Sequence, residues 1–143
     1  MKKIMLVGKT FSGKTTLCQY LNNQELQYHK TQSIQVIGDS MIDTPGEYLE
    51  RRNLYRALIV TSVEAEAIVL VQDAMDDNSM FAPQFASMFP KPVLGVVTKA
   101  DLAGEEDIER AKSFLKDAGA QQIFVISSVT GSGCKELYAY LDS

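Results

Sequence analysis

The sequence holds little with which to build a metal centre or a disulfide framework: two cysteines and one histidine in 143 residues. Cys18 and Cys134 lie far apart and form no C-x-x-C, so free thiols in a reducing compartment are expected, and the single His29 excludes a histidine-rich metal site. Positive charge is also scarce. The formal net charge of -4 and the absence of a dense Lys/Arg run exclude a nucleic-acid backbone as the main partner. No apolar run approaches the roughly 18 residues that a membrane crossing requires. The start, Met1-Lys2-Lys3 followed by Ile4 to Val7, has the charges of a secretory signal but stops at Gly8, too soon for its apolar region, so a cytosolic protein without membrane contact is expected. No Pro/Gly-rich linker, low-complexity stretch or internal repeat divides the chain, and we expect one domain over residues 1–143. The 45% hydrophobic content is enough for a buried core.

Apolar runs bounded by turn residues alternate with helical patterns, the signature of βαβ units and an α/β fold with a mostly parallel sheet. Buried strands are expected at Ile4 to Val7, Ala67 to Gln72, Val93 to Val97 and Ile123 to Ile126. Two short strands, Ser33 to Ile37 and Met41 to Asp43, flank Gly38-Asp39 and read as a hairpin, giving six strands with one antiparallel pair. Helices on both faces are expected from Leu17 with Leu21, from Phe81, Phe85, Met88 and Phe89, from Ile108, Ala111, Leu115 and Ala118, and from Leu137, Tyr140 and Leu141. Residues 22–32 are polar and aperiodic and read as a surface loop.

Gly8-Lys9-Thr10-Phe11-Ser12-Gly13-Lys14-Thr15 matches G-x-x-x-x-G-K-[ST] between a strand and a helix, the context that a phosphate-binding loop needs. Glycines let backbone N–H groups wrap an anion at the positive end of the helix, so residues Gly8 to Thr16 are candidate nucleotide contacts. Lys14 is expected on the β- and γ-phosphates and the Thr15 hydroxyl on Mg²⁺. The motif alone does not name the base. Asp43-Thr44-Pro45-Gly46 ends the next short strand, where Asp43 suits a Mg²⁺-directed carboxylate and the Gly46 N–H can approach a γ-phosphate without a side chain in the way. By itself Asp-Thr-Pro-Gly is an ordinary turn; the phosphate loop gives it meaning. Thr31 is the one threonine between the first helix and Asp43 that suits a metal-bound switch threonine, while His29 and Lys30 beside it read as solvated.

Thr98-Lys99-Ala100-Asp101 follows the run Val93 to Val97, at the carboxyl end of a strand where open α/β sheets bind ligands. A carboxylate at Asp101 can accept from the N1–H and 2-amino group of guanine together, whereas adenine offers no such pair. Lys99 can lay its stem on the base. Ile126-Ser127-Ser128-Val129, after the following strand, supplies a short backbone segment for the guanine O6. GTP or GDP with Mg²⁺ is therefore the expected ligand, with an adenine nucleotide as the alternative.

These elements in this order resemble the small GTPases of the Ras-like P-loop class over essentially the whole chain. His29-Lys30-Thr31-Gln32 together with Asp43-Thr44-Pro45-Gly46-Glu47-Tyr48 is further similar to the EutP/PduV family of bacterial ethanolamine and propanediol utilisation. That resemblance implies association with bacterial microcompartments, with shell proteins or enzymes as partners. Lys14, Thr31, Gly46 and Glu47 are the candidate catalytic positions. Glu47 stands where Ras proteins carry a water-orienting Gln, and its charge beside a γ-phosphate implies slow hydrolysis. Thr10 replaces a Gly and would crowd an incoming arginine finger, normally worth about 10³ to 10⁵ in rate. Phe11 stands where potassium-activated relatives have Asn. Thr98 replaces the Asn of N-K-x-D and is expected to weaken the tether between that loop and the phosphate loop. Two further readings are a nucleotide-gated docking module using Met80 to Phe89 as its partner surface, and a small metabolite kinase. Against the kinase, the sequence shows no lid insertion and no second basic cluster.

Overall fold

A computed structural model describes residues 3–9, 12–14, 16–21, 41–44, 46–127 and 130–142. Five strands form one sheet in the order β2-β1-β3-β4-β5: β1 Ile4–Val7, β2 Met41–Asp43, β3 Ala67–Asp73, β4 Val93–Thr98 and β5 Ile123–Val125. Every pairing among them is parallel. The expected sixth strand, Ser33 to Ile37, and with it the antiparallel pair, lies outside the described residues. Strands β1, β3 and β4 read as continuous apolar runs because both their faces are buried, which helices on either side make possible. β5 is only half-buried.

Alternation along each strand divides the core in two. Met5, Val7, Ile68, Leu70 and Val97 face α3 (Tyr55–Ser62) and α4 (Glu105–Ala118), whose Leu58, Ala111 and Leu115 complete that cluster. Ile4, Leu6, Val69, Val71 and Val96 face α1 (residues 16–21) and α5 (Cys134–Asp142), which contribute Leu17, Leu21, Leu137 and Leu141. The chain leaves β1 for β2 on one side and reaches β3 on the other. The sheet therefore reverses its winding at β1, and in open parallel sheets the crevice at such a point, at the carboxyl ends of the strands, takes the ligand. The residues that follow β1 are those of the phosphate loop. No helix among the described residues is long and apolar enough to cross a membrane.

Two expectations are corrected. The aromatic run is no regular helix: only Phe85–Met88 forms a 3-10 turn, preceded by Gln84 in a left-handed conformation (φ 63°). Pro83 disfavours helical backbone at Ala82. The spacing of Phe81, Phe85 and Phe89 comes from a folded loop that stacks the three rings at centroid distances of 5.4 and 5.5 Å, with Tyr55 edge-on to Phe85 at 5.4 Å. All three phenylalanines are buried in the α3–α4 side of the core, so their rings belong to the core, while Met80, Pro83 and Gln84 between and beside them stay exposed. Second, residues 47–62, for which no element was expected, carry the short helix α2 (Glu47–Glu50) and α3.

Candidate nucleotide site

Three loops at the carboxyl ends of β1, β4 and β5 converge. In the phosphate loop, Gly8 is where the backbone comes closest to its neighbours: a Cβ there would stand 2.7 Å from Ser12 Oγ and 3.0 Å from the Val71 carbonyl oxygen. Gly13 adopts φ +94°, a conformation that side-chain-bearing residues rarely take, and a Cβ would press on Thr98 at 3.1 Å. Both glycines are thus fixed by sterics, leaving a backbone cradle of the kind that suits a phosphate chain. Lys14 is buried at 8% exposure and donates to Asp43 Oδ1 at 2.6 Å, so the expected phosphate lysine and the expected metal-directed carboxylate are neighbours. Burial and Asp43 together push the nearby Cys18 thiol up, with Lys14 opposing, which disfavours its thiolate.

The Asp43 loop is pinned from beneath. Thr44, buried, donates through Oγ1 to the Leu6 carbonyl at 2.7 Å, which fixes the end of β2 to β1. Gly46 has ordinary helical angles and caps α2, its carbonyl accepting from the Leu49 and Glu50 N–H groups. Glu47, the first residue of α2, is exposed, as is Thr16 on α1. Thr10, Phe11, Thr15, Thr31, Ser128 and Val129 lie outside the described residues.

At the base-reading corner the tether expected to be weak is present. Thr98 is 3% exposed and donates its hydroxyl to the Ser12 carbonyl of the phosphate loop at 2.5 Å. Gly13 packs directly against this threonine. Ser12 Oγ itself is buried with no hydrogen-bond partner among the described residues. Asp101 is exposed toward solvent and accepts from Ser127 Oγ at 2.7 Å; the Ala100 N–H donates to the Ile126 carbonyl at 3.1 Å. The two base-reading loops are thereby joined, and Ser127, expected to act through its backbone, also orients Asp101 with its side chain.

Lys99 sits in a left-handed conformation (φ 61°) and sends its ammonium to Asp73 Oδ2 at 2.9 Å. Lys9 pairs with Asp76. Burial raises the Asp76 carboxyl, but hydrogen bonds from Lys9 and the Asn78 N–H outweigh it and leave the group below its ordinary value. Asp73 and Asp76 were missed in the sequence. Their signal was the acidic stretch directly after β3, at the same edge of the sheet as the other loops.

A glycine-cradled phosphate loop after β1, an aspartate ending β2 and a paired Asp101–Ser127 corner after β4 and β5 define a P-loop protein of Ras-like GTPase fold. The fold is shared with translation elongation factor SelB of Methanococcus maripaludis, solved in complex with the GTP analogue GppNHp, at a TM-score of 0.70 and 22% identity over 99% of this chain and 33% of SelB. The chain belongs to the PduV-EutP family, described as ethanolamine utilisation - propanediol utilisation, which it matches over residues 1–143. It is 45% identical to propanediol utilization protein PduV of Citrobacter freundii across all of this chain and 95% of that protein. It is 30% identical to the probable acetate kinase EutP of Escherichia coli K12, across all of this chain and 91% of that protein.

Proposed function

We propose that the chain acts as one G domain over residues 1–143, a guanine-nucleotide switch with slow magnesium-dependent GTP hydrolysis in the service of propanediol or ethanolamine utilisation. One observation carries the reading: Asp101, held by Ser127 beside a phosphate loop that Thr98 ties to the same corner. A carboxylate so held suits the paired donors of guanine and would be left unpaired against adenine. Lys14 and Asp43 would each exchange their mutual contact, Lys14 for phosphate oxygens and Asp43 for the water shell of Mg²⁺, with Thr15 and Thr31 supplying hydroxyls. Bound magnesium supplies charge neutralisation for phosphoryl transfer. Gly46, at the start of α2, would couple a γ-phosphate to that helix, and the exposed Glu47 beside it would oppose attack by water and keep turnover slow. A strand at 33–37 would add antiparallel to β2, which ends the described sheet. We place the protein in the cytosol, at a microcompartment, with shell proteins or enzymes as partners.

The test is nucleotide binding and turnover with GTP and ATP side by side, with and without Mg²⁺. Preference for GTP with slow release of inorganic phosphate is expected; ATP bound as tightly as GTP overturns the reading.

A second reading, transfer of the γ-phosphate to a small carboxylate, is favoured by the 30% identity to a protein named as a probable acetate kinase. Trapping with hydroxylamine separates the two. Acyl phosphate formed from acetate and the nucleotide supports the kinase; phosphate released to water whether or not acetate is present supports the switch.

A further inference from the structure

A cleft of about 330 Å³ opens between the loop that follows β3 and the flank of α4, and no residue of the phosphate or base-reading loops lines it. Phe81, only 8% exposed, Pro83 and the half-buried ring of Phe114 supply the apolar part of its lining, and Asn78 and Ser79 an uncharged polar part. Its charges are of one sign, Asp77 and Asp117, with no lysine or arginine in the lining. The volume falls in the range of small-ligand sites.

The surroundings cancel that charge only in part, through Asp77, an exposed carboxylate paired with Arg110. Arg110 divides one guanidinium between Asp77 at 3.2 Å and Asp107 at 3.0 Å, and also donates to the Ala74 carbonyl at 3.4 Å. Asp117 has no ion pair among the described residues. Its backbone carbonyl is engaged, accepting at 2.8 Å from the N–H of Gln84, the residue held at positive φ. The cleft wall is therefore fixed in place by a strained residue, a kind of strain that concentrates at functional positions. A hard metal ion is a poor occupant, because calcium needs six to eight oxygens and no cluster of three His, Cys, Asp or Glu stands close enough among the described residues. An anion is repelled. An organic cation satisfies both parts of the lining, since aromatic faces attract cations and apolar walls take a hydrocarbon stem.

We propose that this cleft binds an organic monocation, an ammonium or guanidinium group on an apolar stem, with Asp77 and Asp117 meeting the charge and Phe81, Pro83 and Phe114 the stem. Such a group can come as a free amine or as a lysine or arginine side chain of another protein. The site stands independently of the nucleotide reading.

Amide chemical shifts of the full ¹⁵N-labelled chain, titrated with benzylammonium, N-acetyl-lysine amide, N-acetyl-arginine amide and the neutral benzyl alcohol, test it. Saturable shifts at Asn78, Ser79, Phe114 and Asp117 are expected from the cations at dissociation constants on the order of 1 mM. Asp117→Asn should weaken cation binding about 3- to 5-fold, and Phe114→Leu about 3-fold, with the melting temperature of Asp117→Asn unchanged. Benzylammonium binding tighter than the amino-acid amides assigns a free amine; the reverse order assigns a partner's side chain. Benzyl alcohol binding as tightly as the cations, an unaffected Asp117→Asn variant, or no shift at these amides with any cation overturns the proposal.

Discussion

The two ends of the candidate nucleotide site are built to different standards. The base-reading end is locked: Thr98 and Ser127 are buried, and each donates to a residue of another loop. The metal end rests on β2, three partly exposed residues at the edge of the described sheet, followed by α2, four residues without a side-chain cap. Among the described residues its deep anchors are Thr44 on Leu6 and the buried Leu49 of α2. Helices of one turn are marginal on their own, and edge strands have neighbours on one side only. On the proposed function the contrast amounts to a division of labour, in which the base would be read by a braced corner while the end that would face the terminal phosphate has fewer braces.

The largest expected effect falls on the rigid end. Asp101→Asn should reverse selectivity by about 10⁴, weakening GTP and favouring xanthosine triphosphate, because the amide can donate to the added carbonyl. Competition binding with the two nucleotides measures it, and an unchanged ratio would mean that the base is read elsewhere. Next comes Lys14→Ala. Removing a buried charged donor should cost about 3 to 4 kcal/mol of nucleotide affinity, at least 100-fold by calorimetry. Thr98→Val keeps the shape and deletes the hydroxyl, leaving the Ser12 carbonyl short of a donor. A loss of about 1 to 3 kcal/mol in stability by denaturant melting is expected, with weaker nucleotide binding alongside. If stability falls and affinity does not, the lock has no bearing on the ligand.

Smaller effects come from two further carboxylates. Glu47→Gln removes a carboxylate from the phosphate side and should raise single-turnover hydrolysis by about 10-fold without changing the melting temperature, since Glu47 is exposed. The smallest concerns pH. Asp76 has a folded-state value below its unfolded one, so its pairing with Lys9 contributes stability above the unfolded value of 3.8, lost as pH falls through the folded value. Because the pair is partly solvated, the contribution is under about 1 kcal/mol. Asp76→Asn should flatten that part of the stability profile between pH 5 and 3 by roughly this amount.

The same contrast explains what could be read in advance. β1 falls at its expected residues and β3 and β4 each run one residue longer, because parallel strands buried on both faces give uninterrupted apolar runs; the edge strand β2 also falls at its expected residues, and β5 stops one residue short. α3 went unseen because Ala57 to Val60 is also uninterrupted; Val60 and Val63, at 63% and 64% exposure, fill the polar side of the helix and erase its period. The aromatic loop misled in the opposite sense, since rings four residues apart imitate a helix face when a loop folds them onto one core. Motif residues were legible as types. What spacing along the chain could not carry was which side chain reaches across to which loop, as Thr98 does to Ser12 and Asp73 to Lys99.

The hydroxyl of Thr98 also has a thermodynamic meaning. It makes the order of the base loop and the order of the phosphate loop one shared cost, so whichever half of a ligand binds first prepares the other half's seat. Guanosine and pyrophosphate offered separately should then each bind worse than their share of the intact nucleotide suggests. An exchange partner would need to grip only one end of the site to loosen both.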